Sequence, residues 1–205
     1  NAAVILYEKI ILSPSSHAAY YPGGNIMTMK VLFDKQTETI LGAQIVGFEG
    51  VDKRIDVLAT AMQAGMTVTQ LKDLDLAYAP PYSSAKDPVN MAGFLAENVT
   101  SGKVRQFFYE DMETLPHDGS IIRLDVRSDD EYKRGYAEGF NKHIPIYDLR
   151  ERLDELDKEK KIYVMCHSGI RSYTACRILS QEGYDCYNFA GGYRFYGSVK
   201  KDYFS

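Results

Sequence analysis

No Gly-x-Gly occurs anywhere in the 205 residues. The Gly-x-Gly-x-x-Gly turn that seats a dinucleotide pyrophosphate at a helix start is therefore absent. An excess of charge of one sign is lacking as well. Twenty-four basic and 28 acidic side chains leave a formal net charge of −4. Residues 1–103 hold 8 basic and 10 acidic groups and residues 104–205 hold 16 and 18, so each part sums to −2. Neither offers the one-sided basic field by which nucleic acids or anionic membranes are bound. No apolar run approaches the ~18 residues of a membrane span. The opening residues 3–7, AVILY, do not read as a signal peptide, and the leading Asn1-Ala2 reads as a cloning remnant. Cysteine is scarce: Cys166, Cys176 and Cys186 are an odd number without C-x-x-C spacing. That argues against a disulfide framework and against a metal site. Without an export signal it points to a reducing cytoplasm, where a thiol can serve as a reagent.

What is present is an ordinary globular composition, 45% hydrophobic and 25% charged, long enough for one large domain or two small ones. The chain changes character near residue 100. In the first part, Met27, Met29, Val31 and Phe33 alternate with Thr28, Lys30, Leu32 and Asp34, the period of a half-buried strand. A polar turn at 34–38 leads to a second strand over 39–46, so an antiparallel hairpin is expected. Ile55, Leu58, Ala59 and Met62 form a helix stripe that Gly65 ends, and a shorter helical stretch follows at 68–74. The prolines in Ala77-Tyr78-Ala79-Pro80-Pro81-Tyr82 predict an extended segment. Asp87-Pro88 then opens a last helix. Strands followed by segregated helices indicate an α+β domain over 1–100, with the polar stretch 98–103 as linker.

From Ile121 strands and helices alternate, which predicts a small doubly wound α/β domain over 104–205. Residues 121–126 read as a strand, and Ser128 with Glu131 has capping-box spacing. Asp148 with Glu151 repeats that spacing ahead of Leu149, Leu153 and Leu156. The apolar run 162–165 reads as a central parallel strand, 172–181 as a helix ended by Gly183, and 186–189 as another strand.

The chemistry concentrates at Cys166-His167-Ser168-Gly169-Ile170-Arg171-Ser172, which joins the buried strand to the helix. Ligands of open α/β sheets bind at that carboxyl edge. Helix-start amides lack internal partners and carry the positive end of the dipole, so the loop favours an anion. Gly169 lets successive amides turn inward, and Arg171 adds a permanent charge with a planar fork of donors. A cysteine in that field is expected to react as the thiolate. His167 reads as a wall residue more than a catalyst. Asp125 and Arg127 read as braces of the site's edge, and Cys176 and Cys186 as core.

Three separated motifs carry a resemblance over about 104–200 to rhodanese-homology domains. They are Leu124-Asp125-Val126-Arg127 with Glu131-Tyr132, the loop C-x-x-G-x-R-S, and Gly191-Gly192-Tyr193. The resemblance implies sulfurtransferase chemistry, in which the Cys166 thiolate takes the sulfane sulfur of a donor and passes it to a thiol acceptor. Arg-loop phosphatases and arsenate reductases are the nearest alternative. Their C-x5-R loop is one residue longer than the C-x4-R found here, and the tighter ring favours sulfur over a phosphoryl group with its three equatorial oxygens. Two positions depart from the family: Tyr136 stands where a histidine is common, and Tyr196 replaces a frequent tryptophan.

Residues from about 4 to 98 are similar to the dimerisation domain of flavoprotein pyridine-nucleotide disulfide oxidoreductases, through LGAQIVGFEGVDKRIDVLATAM and AYAPPYSSAKDPVNMAGF. Ala79-Pro80-Pro81 replaces the His-Pro pair of glutathione-reductase-like members and resembles the coenzyme A-disulfide reductase branch. That branch implies tyrosines reaching the partner's coenzyme A site, matched here by Tyr78 and by Tyr20 or Tyr21. The whole is identified as the C-terminal part of a coenzyme A-disulfide reductase–rhodanese fusion. A homodimer is implied. FAD, NAD(P)H and coenzyme A are implied for the parent enzyme, and no bound cofactor for this fragment. A non-catalytic dimerisation or docking fragment is the remaining alternative.

Overall fold

The structure, a computed structural model, describes residues 6–203, so Asn1-Ala2 and most of the opening segment lie outside it. It divides into two compact units, Asn1–Ser101 and Gly102–Ser205.

The first unit is α+β. Strands β1 (Tyr7–Leu12), β2 (Thr28–Asp34) and β3 (Ile40–Val46) form one antiparallel sheet in that order. The expected hairpin is β2–β3, closed by the Asp34 carboxylate accepting from the Gln36 and Thr37 amides at 2.8 Å. The third strand was not legible because β1 buries the consecutive pair Ile10 and Ile11 and so breaks the period of two. Met29, Val31 and Phe33 are buried as their alternation predicts, against Leu58 and Ala61 of α1 (Val51–Gln63) and Val89, Ala92 and Ala96 of α2 (Pro88–Thr100).

The stripe expected on α1 is rotated. Its buried residues are Arg54, Leu58 and Ala61, while Ala59 and Met62 are exposed. The cause is Arg54, 1% exposed, whose Nη2 donates to Asp87 Oδ2 at 2.9 Å, to the Ser16 carbonyl at 2.8 Å and to the Tyr82 carbonyl at 3.1 Å. A charge with that many partners can occupy a core position that periodicity reserves for leucine. Asp87 also caps α2, accepting from the Val89 amide, with Pro88 at the first helical position. The helical stretch at 68–74 is a 3-10 turn, Thr69–Asp73. The segment 77–82 is extended only to Ala79 and then turns, with the Tyr82 and Ser83 amides donating to the Ala79 carbonyl. Residues 98–100 belong to α2, with Val99 packed against the core, which leaves 101–103 outside the flanking elements.

Gly93 is where α2 touches the 3-10 turn. A Cβ there would stand 2.2 Å from the Lys72 nitrogen. Backbone cannot yield as a side chain end does, so Gly93→Ala is expected to cost about 1–3 kcal/mol. The check is the urea midpoint of this unit, and an unchanged midpoint would contradict the packing described.

The second unit is a five-stranded parallel sheet in the order β4 (Gln106–Phe107), β8 (Cys186–Phe189), β7 (Lys161–Met165), β5 (Ile121–Asp125) and β6 (Lys142–His143). The two-residue edge strands β4 and β6 are too short to show a pattern in sequence. Helix α3 (Asp129–Lys133) begins at the expected Ser128 box, with the Ser128 hydroxyl accepting from the Glu131 amide. The Asp148 box is not formed. Two 3-10 turns, Leu149–Glu151 and Leu153–Glu155, take the place of a helix, and Asp148 caps nothing with its side chain. Helix α4 (Ile170–Gln181) follows β7, and α5 (Gly192–Tyr203), not anticipated, follows Gly191.

Candidate active site

β7 is the middle strand, and the chain leaves β5 and β7 in opposite directions, toward β6 and β8 respectively. The crevice where such connections diverge is the ligand site of open α/β sheets. Cys166 stands there. It follows Met165 directly and is fully buried. Its Sγ accepts a hydrogen bond from the Gly169 amide at 3.1 Å and lies 3.2 Å from the Ser172 hydroxyl. Gly169, at φ +104°, is the N-cap residue of α4, so the chain reverses over the sulfur into the first turn of a 12-residue helix. A backbone amide, a hydroxyl and the start of a helix thus meet at one atom.

The loop's outer side is fastened by α5. The Tyr193 amide donates to the Cys166 carbonyl at 2.8 Å and the Arg194 amide to the His167 carbonyl at 3.1 Å. Gly192 permits this approach, since a Cβ there would lie 2.5 Å from the His167 oxygen. The β5 side supplies the bracing. Asp125 and Arg127, 0% and 2% exposed, form a bidentate pair with Nη2–Oδ2 at 2.6 Å. The Arg127 guanidinium lies 3.9 Å from the Tyr193 ring centroid and donates to the Gly135 carbonyl at 2.8 Å. Arg171 does not point its fork at the sulfur. Its Nη1 and Nη2 donate to Glu131 Oε2 and Oε1 at 2.6 and 2.7 Å. His167, half-buried, comes within 4.0 Å of Glu131, and burial lowers its pKa, which favours the neutral ring. Ser168 is half-buried and Ile170, the first residue of α4, is exposed.

Two family models match the chain. Residues 3–88 match the pyridine nucleotide-disulphide oxidoreductase dimerisation domain, and residues 109–197 match the rhodanese-like domain. The chain is the first of these domains followed by the second. Coenzyme A disulfide reductase of Staphylococcus haemolyticus is 45% identical over 93 residues, 45% of this chain and 21% of that protein. The crystal structure of reduced Bacillus anthracis CoADR-RHD superposes with a TM-score of 0.91 at 43% identity, over 96% of this chain and 35% of that one. A NAD-dependent persulfide reductase from A. fulgidus gives 0.84 at 42%, over 94% and 34%. The chain therefore spans about a fifth to a third of the length of these relatives.

Within the dimerisation domain, Tyr20 and Tyr78 meet, their hydroxyls 2.7 Å apart although the residues are 74% and 47% exposed. That hydrogen bond raises the pKa of Tyr78. Tyr21 instead turns edge-on to His17. In the rhodanese-like domain Tyr136, 54% exposed, stacks on Tyr132, which stacks on His143. Tyr196 is buried among Phe107, Phe140 and Phe189. Cys176 and Cys186 are buried free thiols in α4 and β8. Among the described residues no group of three or more metal-ligating side chains occurs, and no helix is long and apolar enough to cross a membrane.

The grip of Glu131 on Arg171 was not legible in the sequence, where Glu131 reads as a capping residue and as part of the Glu131-Tyr132 motif. Forty residues separate the partners and no spacing rule links them. The Arg171 guanidinium, with further hydrogen bonds from Ser128, holds the Glu131 carboxyl below its ordinary 4.5, at about 2. A depressed carboxyl contributes stability that is complete above its ordinary value and is lost as pH falls through the folded one. The clamp should therefore stay closed through neutral pH and open only between about 4.5 and 2. Carboxyl-carbon NMR of Glu131 checks this. A midpoint near 4.5 would show that the pair does not form in solution.

Proposed function

We propose that the rhodanese-like domain is a sulfurtransferase whose reactive group is the Cys166 thiolate. The observation that carries this reading is the convergence of the Gly169 amide, the Ser172 hydroxyl and the α4 N-terminus on Cys166 Sγ. The thiolate attacks the terminal sulfur of a donor R–S–SH. The Sγ–S bond forms, the donor S–S bond breaks, RS⁻ leaves, and the proton stays on the transferred sulfur. An acceptor thiolate then removes that sulfur and restores the Cys166 thiolate. Both half-reactions run between thiolates, so no general base is needed and His167 stays outside the chemistry. Asp125 and Arg127 position the β5 edge beside the loop, and loop residues 167–172 line the anion site.

For the full-length protein we infer a flavin-dependent reductase of coenzyme A disulfide, persulfide or polysulfide, paired as a homodimer through the first domain and acting in the cytoplasm. The residues here do not fit a dinucleotide. None of the strand-to-helix turns has the Gly-x-Gly-x-x-Gly spacing that seats a pyrophosphate, and the turn at 166–170 is closed over Cys166 Sγ. FAD and NAD(P)H would be held elsewhere in the parent. The Tyr20–Tyr78 pair supports a coenzyme A-facing role for Tyr20 over Tyr21, since exposed paired hydroxyls offer donors and acceptors to a partner's site. Activity toward a small-molecule persulfide, assayed beside an aryl phosphate, tests the sulfurtransfer reading. Turnover of the phosphate ester alone would replace it with the phosphatase alternative, and turnover of neither with a docking role.

A further inference from the structure

Glu131 does more than cap a five-residue helix. Its carboxylate is saturated: Oε1 accepts from Arg171 Nη2, and Oε2 accepts from Arg171 Nη1 and, at 3.0 Å each, from the Ser128 amide and hydroxyl. Both terminal nitrogens of the loop's guanidinium are thereby drawn toward the β5 side. The second guanidinium of the site, Arg127, is paired in the same way by Asp125. His167 is held toward its neutral form by burial. The charges of Arg127 and Arg171 are thus neutralised in pairs, and at Cys166 Sγ an incoming anion meets the partial charges of an amide and one hydroxyl. Partial charges of that kind suit a monoanion. A dianion would need a cation released from its carboxylate.

We infer that Glu131 sets the donor specificity of the loop: by holding Arg171 it disfavours dianionic donors such as thiosulfate and reserves the site for thiol persulfides, which carry at most one charge at the reacting sulfur. This rests on the sulfurtransfer reading and names its substrate class. With a persulfide the step is the one given above. With thiosulfate the thiolate would take the outer sulfur and release sulfite, a dianion for which no unpaired arginine fork is available beside the loop at Arg127 or Arg171. Glu131 is a positioning residue, since it acts through Arg171.

Calorimetric titration of thiosulfate into the 205-residue protein decides it, with Cys166→Ser as the unreactive background. Adding Glu131→Gln keeps the side-chain shape but removes the charge that holds Arg171, and Kd for thiosulfate should fall about tenfold, the value of one charge-assisted contact. Adding Glu131→Asp instead keeps a carboxylate and should preserve weak binding. In proteins that retain Cys166, Glu131→Gln should raise the ratio of kcat/KM for thiosulfate to that for 2-hydroxyethyl persulfide about tenfold, through KM for thiosulfate. Equal thiosulfate affinity with and without the Glu131→Gln substitution, or equal tightening by Glu131→Asp, overturns the role of Glu131 alone. Failure of the wild-type chain to accept sulfur from the persulfide overturns the sulfurtransfer reading and the donor assignment with it.

Discussion

Cys166→Ser is expected to abolish sulfur transfer, down to the uncatalysed background, while Cys176→Ala and Cys186→Ala retain it. The three thiols differ in surroundings more than in burial. Cys166 Sγ receives the Gly169 amide and faces the start of α4. Cys176 lies mid-helix, where burial pushes its thiol up; the Cys186 thiol, though drawn down by its hydrogen bond with Cys176, donates to the Cys176 carbonyl at 3.3 Å and lies in β8, not at a helix start. A protonated sulfur in the core is a small hydrophobe and a poor nucleophile. Serine at this position keeps the shape and both hydrogen bonds but has no thiolate to offer. Sulfur release from a persulfide, followed by a colorimetric thiol assay, checks all three variants together. Equal losses in the three would mean that they share a packing role and that Cys166 is not the acceptor.

Arg54→Ala should cost the dimerisation domain about 3–5 kcal/mol, the range for removing one partner of a buried ion pair. The loss is large because Asp87, 2% exposed, would lose its buried counterion and keep only the more exposed Lys53 Nζ at 3.8 Å. Arg54 also ties together the carbonyls of Ser16, Gly50 and Tyr82, so the segments bearing Tyr20 and Tyr78 would lose a common anchor. Amide hydrogen exchange in α2 should accelerate about a hundredfold or more, the lower end of that range expressed as an opening constant. Exchange in the α4 amides of the other domain serves as the control. Unchanged protection in α2 would contradict the structural role given to Arg54.

What the sequence revealed follows from how each feature is encoded. Met29, Val31 and Phe33 announced β2 because their period and burial coincide. The turn at Cys166–Ser172 was legible because a glycine at a strand-to-helix junction marks a positive φ, which Gly169 adopts, whereas the turning of Arg171 to Glu131 was not. The α1 face was misjudged because Arg54 reads as polar until Asp87, 33 residues away, is folded against it. The Asp148 box failed for the opposite reason: a local signal was present, but Leu149 is buried from a 3-10 turn and no helix extends beyond it. The bond between Glu131 and Arg171 joins the β5 and β7 connections, and only the sheet order brings those together. Short-range spacing cannot encode it. The contact of Tyr20 with Tyr78, 58 residues away, was likewise not legible in sequence.

Mass spectrometry of the protein after brief exposure to a small-molecule persulfide tests the central claim directly. The account predicts the added mass of one sulfur atom on the peptide that contains Cys166, removed by a thiol acceptor, with none on Cys176 or Cys186. Sulfur added to either of those cysteines, or to none of the three, would contradict it.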